Sequence, residues 1–419
     1  MDTLHTLLHR ARRTYLDFLR WLVLGSAVGV VVAFAGAGFH HLTEYARAIR
    51  LANGWLLFLL PLAGLLIVAL YQFAGMYGDR GTNAVLLAVR ENEAIPLRIF
   101  PLISVSTALT HLTGGSSGRE GAALQLGGSI GGTFGRWLKL EDHDHKVMIM
   151  CGMSAGFAAL FGTPLTATVF AMEVVSVGLM QYAALVPCCV AALLAKETAE
   201  FVGAHGEHFA LPAVTVFDWR SGALTVLLAF CCAAVSILFC MTLHYTEHLY
   251  KKWIPNEWLR IVAGGCLIIL MTKLLGTTDY LGAGMDIIEL AMEGKVIAAA
   301  FLMKMVFTAV SLGSGFRGGE IVPTLFVGAT FGCLFGQVTG LSPSLAAACG
   351  MAAVFCGVTN CPISSLLLSF ELFGFDCMPF FLLSVSIAYL ESGYYGLYQS
   401  QKILYSKTKL KYINTHTKE

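Results

Sequence analysis

"HLTGGSSGREGAALQLGGSIGG" (residues 111–132) sets Arg119 and Glu120 side by side among eight glycines. "GSGFRGGEIVPTLFVGATFG" (313–332) has the same plan: a glycine-rich break, a lone glutamate at Glu320, then a helix-like run. Glycine lets the backbone leave helical geometry and approach another group closely. A helix that starts at once after such a break begins with unpaired N–H groups and the positive end of its dipole. Glu120 stands in the first turn, where a carboxylate is favoured.

The surroundings of these breaks are strongly apolar. Of the 419 residues 57% are hydrophobic and 13% charged, against about 25% charged in soluble domains; mean hydropathy is +0.72. The runs "WLVLGSAVGVVVAFAGAGF" (21–39), "WLLFLLPLAGLLIVALYQFAG" (55–75) and "ALTVLLAFCCAAVSILFCM" (223–241) are each long enough for a helix to cross a bilayer, which takes ~20 residues. Others, such as "FFLLSVSIAYL" (380–390), are too short. Short apolar helices at membrane depth must be broken spans buried in protein. The sequence therefore predicts an all-α polytopic membrane protein. Its net charge of +1 gives no footing for nucleic acid.

Arg10, Arg12, Arg13 and Arg20 precede the first span, and the final stretch "SQKILYSKTKLKYINTHTKE" is basic too. The positive-inside tendency places both termini in the cytoplasm, in the cell's inner (plasma) membrane. No small-residue cleavage site follows the basic start, so a cleaved signal is not expected.

The chain is duplicated. "CGMSAGFAALFGTPLTATVFAMEVV" (151–175) matches "CGMAAVFCGVTNCPISSLLLSFELF" (349–373), pairing Gly152 with Gly350, Pro164 with Pro362 and Glu173 with Glu371 at one offset. "GGSIGGTFG" (127–135) matches "GATFGCLFG" (328–336) at nearly the same offset. The expected organisation is an amphipathic segment 1–13, repeats 14–205 and 215–408, a cytoplasmic tail 409–419, and no C-terminal regulatory domain. Transporter repeats are commonly inverted, with the substrate site where broken helices meet at mid-membrane. Helix starts converging there hold an anion without a fixed full charge, so that it can leave again. Glu120, an ionisable group at membrane depth, is then a functional candidate that can occupy the anion's place and vacate it on protonation.

These motifs resemble the CLC anion channels and antiporters. "GGSSGREG" looks like that family's G-[KR]-E-G motif; "GSGFRGGEIVP" stands where it has G-G-x-F-x-P; "LYSKTKL" (404–410) resembles the stretch bearing the inner pore tyrosine. The resemblance implies the CLC fold, a homodimer with a pore in each subunit, Glu120 as the gating and external proton glutamate, and Tyr405 in the inner pore, with Tyr398 as a second candidate. Around the anion it implies Gly81, Thr82 and Asn83, the stretch Gly118, Arg119, Gly121 and Ala122, and Gly319, Ile321 and Val322. It implies no cofactor and no metal.

Three departures resemble the family's fluoride branch, which exports fluoride in exchange for protons. The family's serine turn is replaced by "GDRGTNAVL" (78–86), Glu320 follows the paired glycines, and Val174 stands where an internal proton-accepting glutamate is common. Fluoride holds its water strongly and demands short, strong donors. A buried carboxyl tends towards the neutral acid, so Glu320 as an acid would donate a hydrogen bond to fluoride and take over proton transfer. A chloride channel or chloride/proton antiporter of the same fold is the alternative. An intramembrane serine hydrolase built on Ser117 with His40, His41 or His111 would leave the duplication and both glutamates unexplained. The twelve cysteines read as small buried hydrophobes, and "EDHDHK" (141–146) as a solvated loop rather than a metal clip.

Overall fold

The computed structural model describes residues 2–206, 209, 211 and 216–418. The first half contains α1 (Asp2–Ala52), α2 (Leu60–Phe73), α3 (Thr82–Glu91), α4 (Ile99–Thr113), α5 (Glu120–Trp137), α6 (Asp142–Phe161), α7 (Pro164–Glu173) and α8 (Leu185–Phe201). The second contains α9 (Trp219–Trp253), α10 (Glu257–Leu275), α11 (Met285–Met292), α12 (Ala300–Ser314), α13 (Ile321–Thr339), α14 (Pro343–Thr359), α15 (Pro362–Phe373) and α16 (Met378–Glu391). The packing repeats as the order does: α1 lies against α4, α6 and α8, and α9 against α12, α14 and α16. Six helical stretches among the described residues are long and apolar enough to cross a membrane, and five apolar helices are shorter. The chain is a polytopic helical membrane protein.

The matched glycines serve helix approach. A Cβ at Gly152 of α6 would collide with the carbonyl of Gly127 of α5, and one at Gly350 of α14 with the carbonyl of Gly328 of α13. Without side chains at these crossings the backbones come into direct contact, which is how packing is gained between helices that lipid solvates as well as protein does.

The matched glutamates have a reciprocal task. Glu371, at the end of α15, accepts from the backbone N–H groups of Leu165 (2.9 Å) and Thr166 (2.8 Å) at the start of α7, and from the Thr166 hydroxyl (2.6 Å). Glu173, at the end of α7, accepts from the N–H groups of Ile363 (3.2 Å) and Ser364 (2.9 Å) at the start of α15, and from the Ser364 hydroxyl (2.5 Å). Pro164 and Pro362 open these helices, which suits proline because its missing N–H is not needed there. Each repeat's carboxylate thus satisfies the orphan N–H groups of the other's helix. Glu173→Ala removes one of these caps from a buried site and is expected to cost about 3 kcal/mol. A thermal melt in detergent should show the loss, with the native elution position retained at low temperature.

Three features differ from the sequence expectations. Segment 1–13 is not separate from the first span, since α1 runs without interruption. "EDHDHK" is not a loop: Glu141 is the N-cap of α6, and Asp142 and Asp144 sit in its first turn, where acids suit the dipole. His145 is buried between Asn92 Oδ1 (3.0 Å) and the Gly132 carbonyl (3.0 Å). Finally, the end of the chain is not a free tail. Strand β1 (Ser176–Val177) pairs parallel with β2 (Lys402–Tyr405), which pairs antiparallel with β3 (Tyr412–His416). Part of the stretch between the repeats, 206–214, lies outside the described residues.

Candidate functional site

The two glycine breaks meet. Gly118 N–H donates to the Gly319 carbonyl (2.6 Å), and Gly319 N–H to the Gly118 carbonyl (2.8 Å), an antiparallel bridge of one residue pair. Both glycines are buried. A Cβ at Gly319 would stand 2.6 Å from the Gly121 nitrogen and 3.1 Å from that of Glu120, so glycine is what allows the contact. It brings the N-termini of α5 and α13 together, converging two sets of unpaired N–H groups and two positive dipole ends.

Glu120, 4% exposed, folds back over this junction. Its Oε2 accepts from the backbone N–H of Arg119 (2.8 Å). The same oxygen lies 2.7 Å from where a Gly118 Cβ would be, a point also 3.0 Å from Val322 Cβ. The carboxylate therefore occupies the space between the two helix starts. Ala122, Ile321 and Val322 are buried around it. The Arg119 backbone N–H serves Glu120, and its guanidinium pairs with Glu44 of α1 (2.7 Å) and approaches His40 (3.5 Å).

Glu320 lies on the other side of the bridge. Its Oε2 is 3.0 Å from where a Gly121 Cβ would be, a point 3.3 Å from Thr82 Oγ1, so the carboxyl and the Thr82 hydroxyl flank the same glycine. The sequence predicts a buried carboxyl here. Instead it is half-buried and borders a vestibule of about 550 Å³ that Gly81, Thr82, Asn83 and Gln125 also line. Gly81 precedes α3 with φ +58°, which favours glycine, so the helix begins at Thr82 facing this space. Asp79 holds the turn, accepting from Gly81 N–H (3.3 Å) and from Arg317 (3.0 Å), whose guanidinium lies over the Tyr71 ring at 4.2 Å. Asn83 spends its side-chain oxygen on Ser400, accepting from its N–H (3.0 Å) and its hydroxyl (2.8 Å).

The two tyrosines separate clearly. Tyr405 is not brought to the site: it sits in β2, 47% exposed, its ring edge-on to Tyr412 at 5.6 Å. Tyr398 is fully buried, its hydroxyl has no hydrogen-bond partner among the described residues, and it lies within electrostatic reach of Glu320. The chain offers two Leu-Tyr pairs, 397–398 and 404–405. The first is the buried one, and its Leu397 N–H donates to the Val358 carbonyl (2.8 Å). Ser117 and His111 form no nucleophile–base pair: His111 reaches the Gly118 carbonyl (3.4 Å), and the Ser117 hydroxyl is without a partner among the described residues.

Some polar residues escaped the sequence reading. Lys304, a lone cation in the apolar run of α12, is fully buried and donates to the carbonyls of Gly282 (2.6 Å) and Tyr280 (3.2 Å) beside the Phe326 ring. The pair Asp79–Arg317 and the amide of Gln125 were also passed over. A charge or amide alone in an apolar run was the available signal.

Ser400 and His416, near the end of the chain, also line the vestibule. Near its rim Arg90 donates to the Ser400 carbonyl, Asn92 bonds Asp142 (2.8 Å), and neighbouring Asp144 pairs with Arg20 of α1 (2.7 Å).

A family model described as voltage gated chloride channel matches residues 63–393. A chloride/fluoride channel protein of Pseudomonas syringae pv. tomato is 33% identical over 395 residues, covering 93% of this chain and 87% of that one. Among solved structures, a CLC-type fluoride/proton antiporter superposes with a TM-score of 0.89 at 33% identity, over 92% of this chain and 98% of that one. A slow cyanobacterial Cl⁻/H⁺ antiporter gives 0.76 at 19% identity, over 89% and 94%, and shares the fold.

Proposed function

The chain belongs to the voltage-gated chloride channel family, and from that premise we propose that it exchanges fluoride for protons and exports fluoride from the cytoplasm. One observation carries the choice of ion: Glu320, absent from the chloride pattern, stands at the bridge between the helix starts and lines the vestibule together with Thr82. A second carboxyl beside an anion site is useful only if it carries a proton at the right moment, and as an acid it donates a short hydrogen bond that a small, strongly hydrated anion needs. Its place at the vestibule lets it exchange that proton with water. The likeness to a fluoride/proton antiporter across nearly all of both chains supports the same reading.

In this mechanism fluoride enters from the vestibule, past Thr82 and Tyr398, to the N–H groups at the starts of α5 and α13. Glu120 occupies the same place when charged and leaves it when protonated from the opposite side. Glu320 hands the proton to the vestibule. The protein works as a secondary transporter in the inner membrane, a homodimer with both termini cytoplasmic and one pathway per subunit. Paired fluoride and proton fluxes from proteoliposomes, with chloride as competitor, test it. Uphill proton movement driven by fluoride is the expected result; equal or faster exchange with chloride would give the site to chloride instead.

A further inference from the structure

Gln125 is a buried amide in a helix of small and apolar residues, one turn beyond Glu120, and is 3% exposed. Its bonds do not satisfy it. Nε2 reaches Thr82 Oγ1 and the Gly121 carbonyl, both at 3.4 Å, which is beyond the usual range for N–H donors. Oε1 has no hydrogen-bond partner among the described residues. An amide held this loosely in a dry site would cost stability without a return. This one lines the vestibule, beside Thr82 and Glu320, and Nε2 lies 3.7 Å from where a Cβ on Gly81 would stand, at the turn that opens α3.

We propose that Gln125 is a specificity-determining residue of the inner anion site, its amide N–H donating to fluoride as the ion passes Thr82. The inference rests on the fluoride reading above. Two long bonds to neutral acceptors are easily exchanged for one short bond to an anion, since charge-assisted hydrogen bonds are about twice as strong as neutral ones. The exchange favours fluoride over chloride because the smaller ion concentrates its charge and comes closer to the donor. The carbonyl end, left without a donor, is free to accept from water or from the Glu320 acid while the N–H faces the ion. Gln125 bonds Thr82, and both line the vestibule with Glu320, so anion recognition and proton carriage meet in one space.

The test uses the full-length protein in proteoliposomes, comparing wild type with Gln125→Met, which keeps the length but removes the amide, and Gln125→Glu, which keeps the shape but removes the N–H donors. Half-saturating fluoride should rise at least about tenfold in both, and the fluoride-to-chloride rate ratio should fall at least about tenfold, with elution position and melting temperature held. A side chain that only fills space would leave the ratio where it was. The proposal is overturned by a folded variant with the wild-type ratio and half-saturation, or by failure of both variants to fold, which would make the amide structural. A wild type silent towards fluoride would sink the functional reading as well; a fluoride-active wild type with unchanged variants would sink the Gln125 inference alone.

Discussion

Glu120→Gln is expected to go on moving fluoride while losing at least about tenfold of its proton movement, because an amide of the same shape cannot carry a proton at any accessible pH. The carboxylate lies where the starts of α5 and α13 converge, bonded to Arg119 N–H at 2.8 Å, with Val322 across the space beside Gly118. Those N–H groups and dipole ends suit any anion of the right size, so the charged side chain and the transported ion compete for one place. Glutamine is neutral, does not compete, and leaves the passage open. A pH electrode in a suspension of fluoride-loaded vesicles should record fluoride release with almost no accompanying proton uptake. Strong uphill proton movement by the variant would show that the coupling carboxyl lies elsewhere.

Glu320→Gln should be the more damaging change. The amide still donates to an anion but no longer delivers a proton to the vestibule, so proton-coupled fluoride flux should drop by about 100-fold, the contribution expected of a positioned proton-transfer group. Val174 is buried at the end of α7, its carbonyl accepting from Gln401 (2.9 Å), and so supplies no internal acid. In the proposed exchange Glu320, at the edge of the vestibule, serves as that acid. The pair of variants distinguishes the two roles: Glu120→Gln loses coupling and keeps flux, whereas Glu320→Gln loses both. Full coupled flux in the Glu320 variant would remove the reason for preferring fluoride, and faster chloride passage would favour the chloride alternative.

Much of the site was legible because its parts are local. Glu120 and Glu320 announce themselves as lone acids after glycines, and each does stand at a helix start. Gly118 and Gly319 read as break residues, yet only the fold shows that they bond each other across 201 positions. Arg119 reads as part of the anion site because it adjoins Glu120; only the fold shows that its side chain also pairs with Glu44, 75 residues away on α1. Two similar Leu-Tyr pairs lie seven residues apart, and a motif says nothing about which of them the fold buries; it buries Tyr398 and leaves Tyr405 exposed. Glu173 and Glu371 read only as markers of duplication, since trans-capping needs both repeats in place.

Composition, hydropathy and spacing alone determined that this chain crosses a membrane, that it is built twice over, and that each copy contains a glycine break capped by an acid. Those properties depend on neighbours in the chain and on the solvent around it. Tertiary structure decided which atoms meet: the bridge from Gly118 to Gly319, the exchanged caps of α7 and α15, and the vestibule that Glu320 lines with Thr82 and Gln125. Such contacts join residues far apart in sequence, and their partners are chosen by how two interlocked repeats pack, which no local pattern encodes.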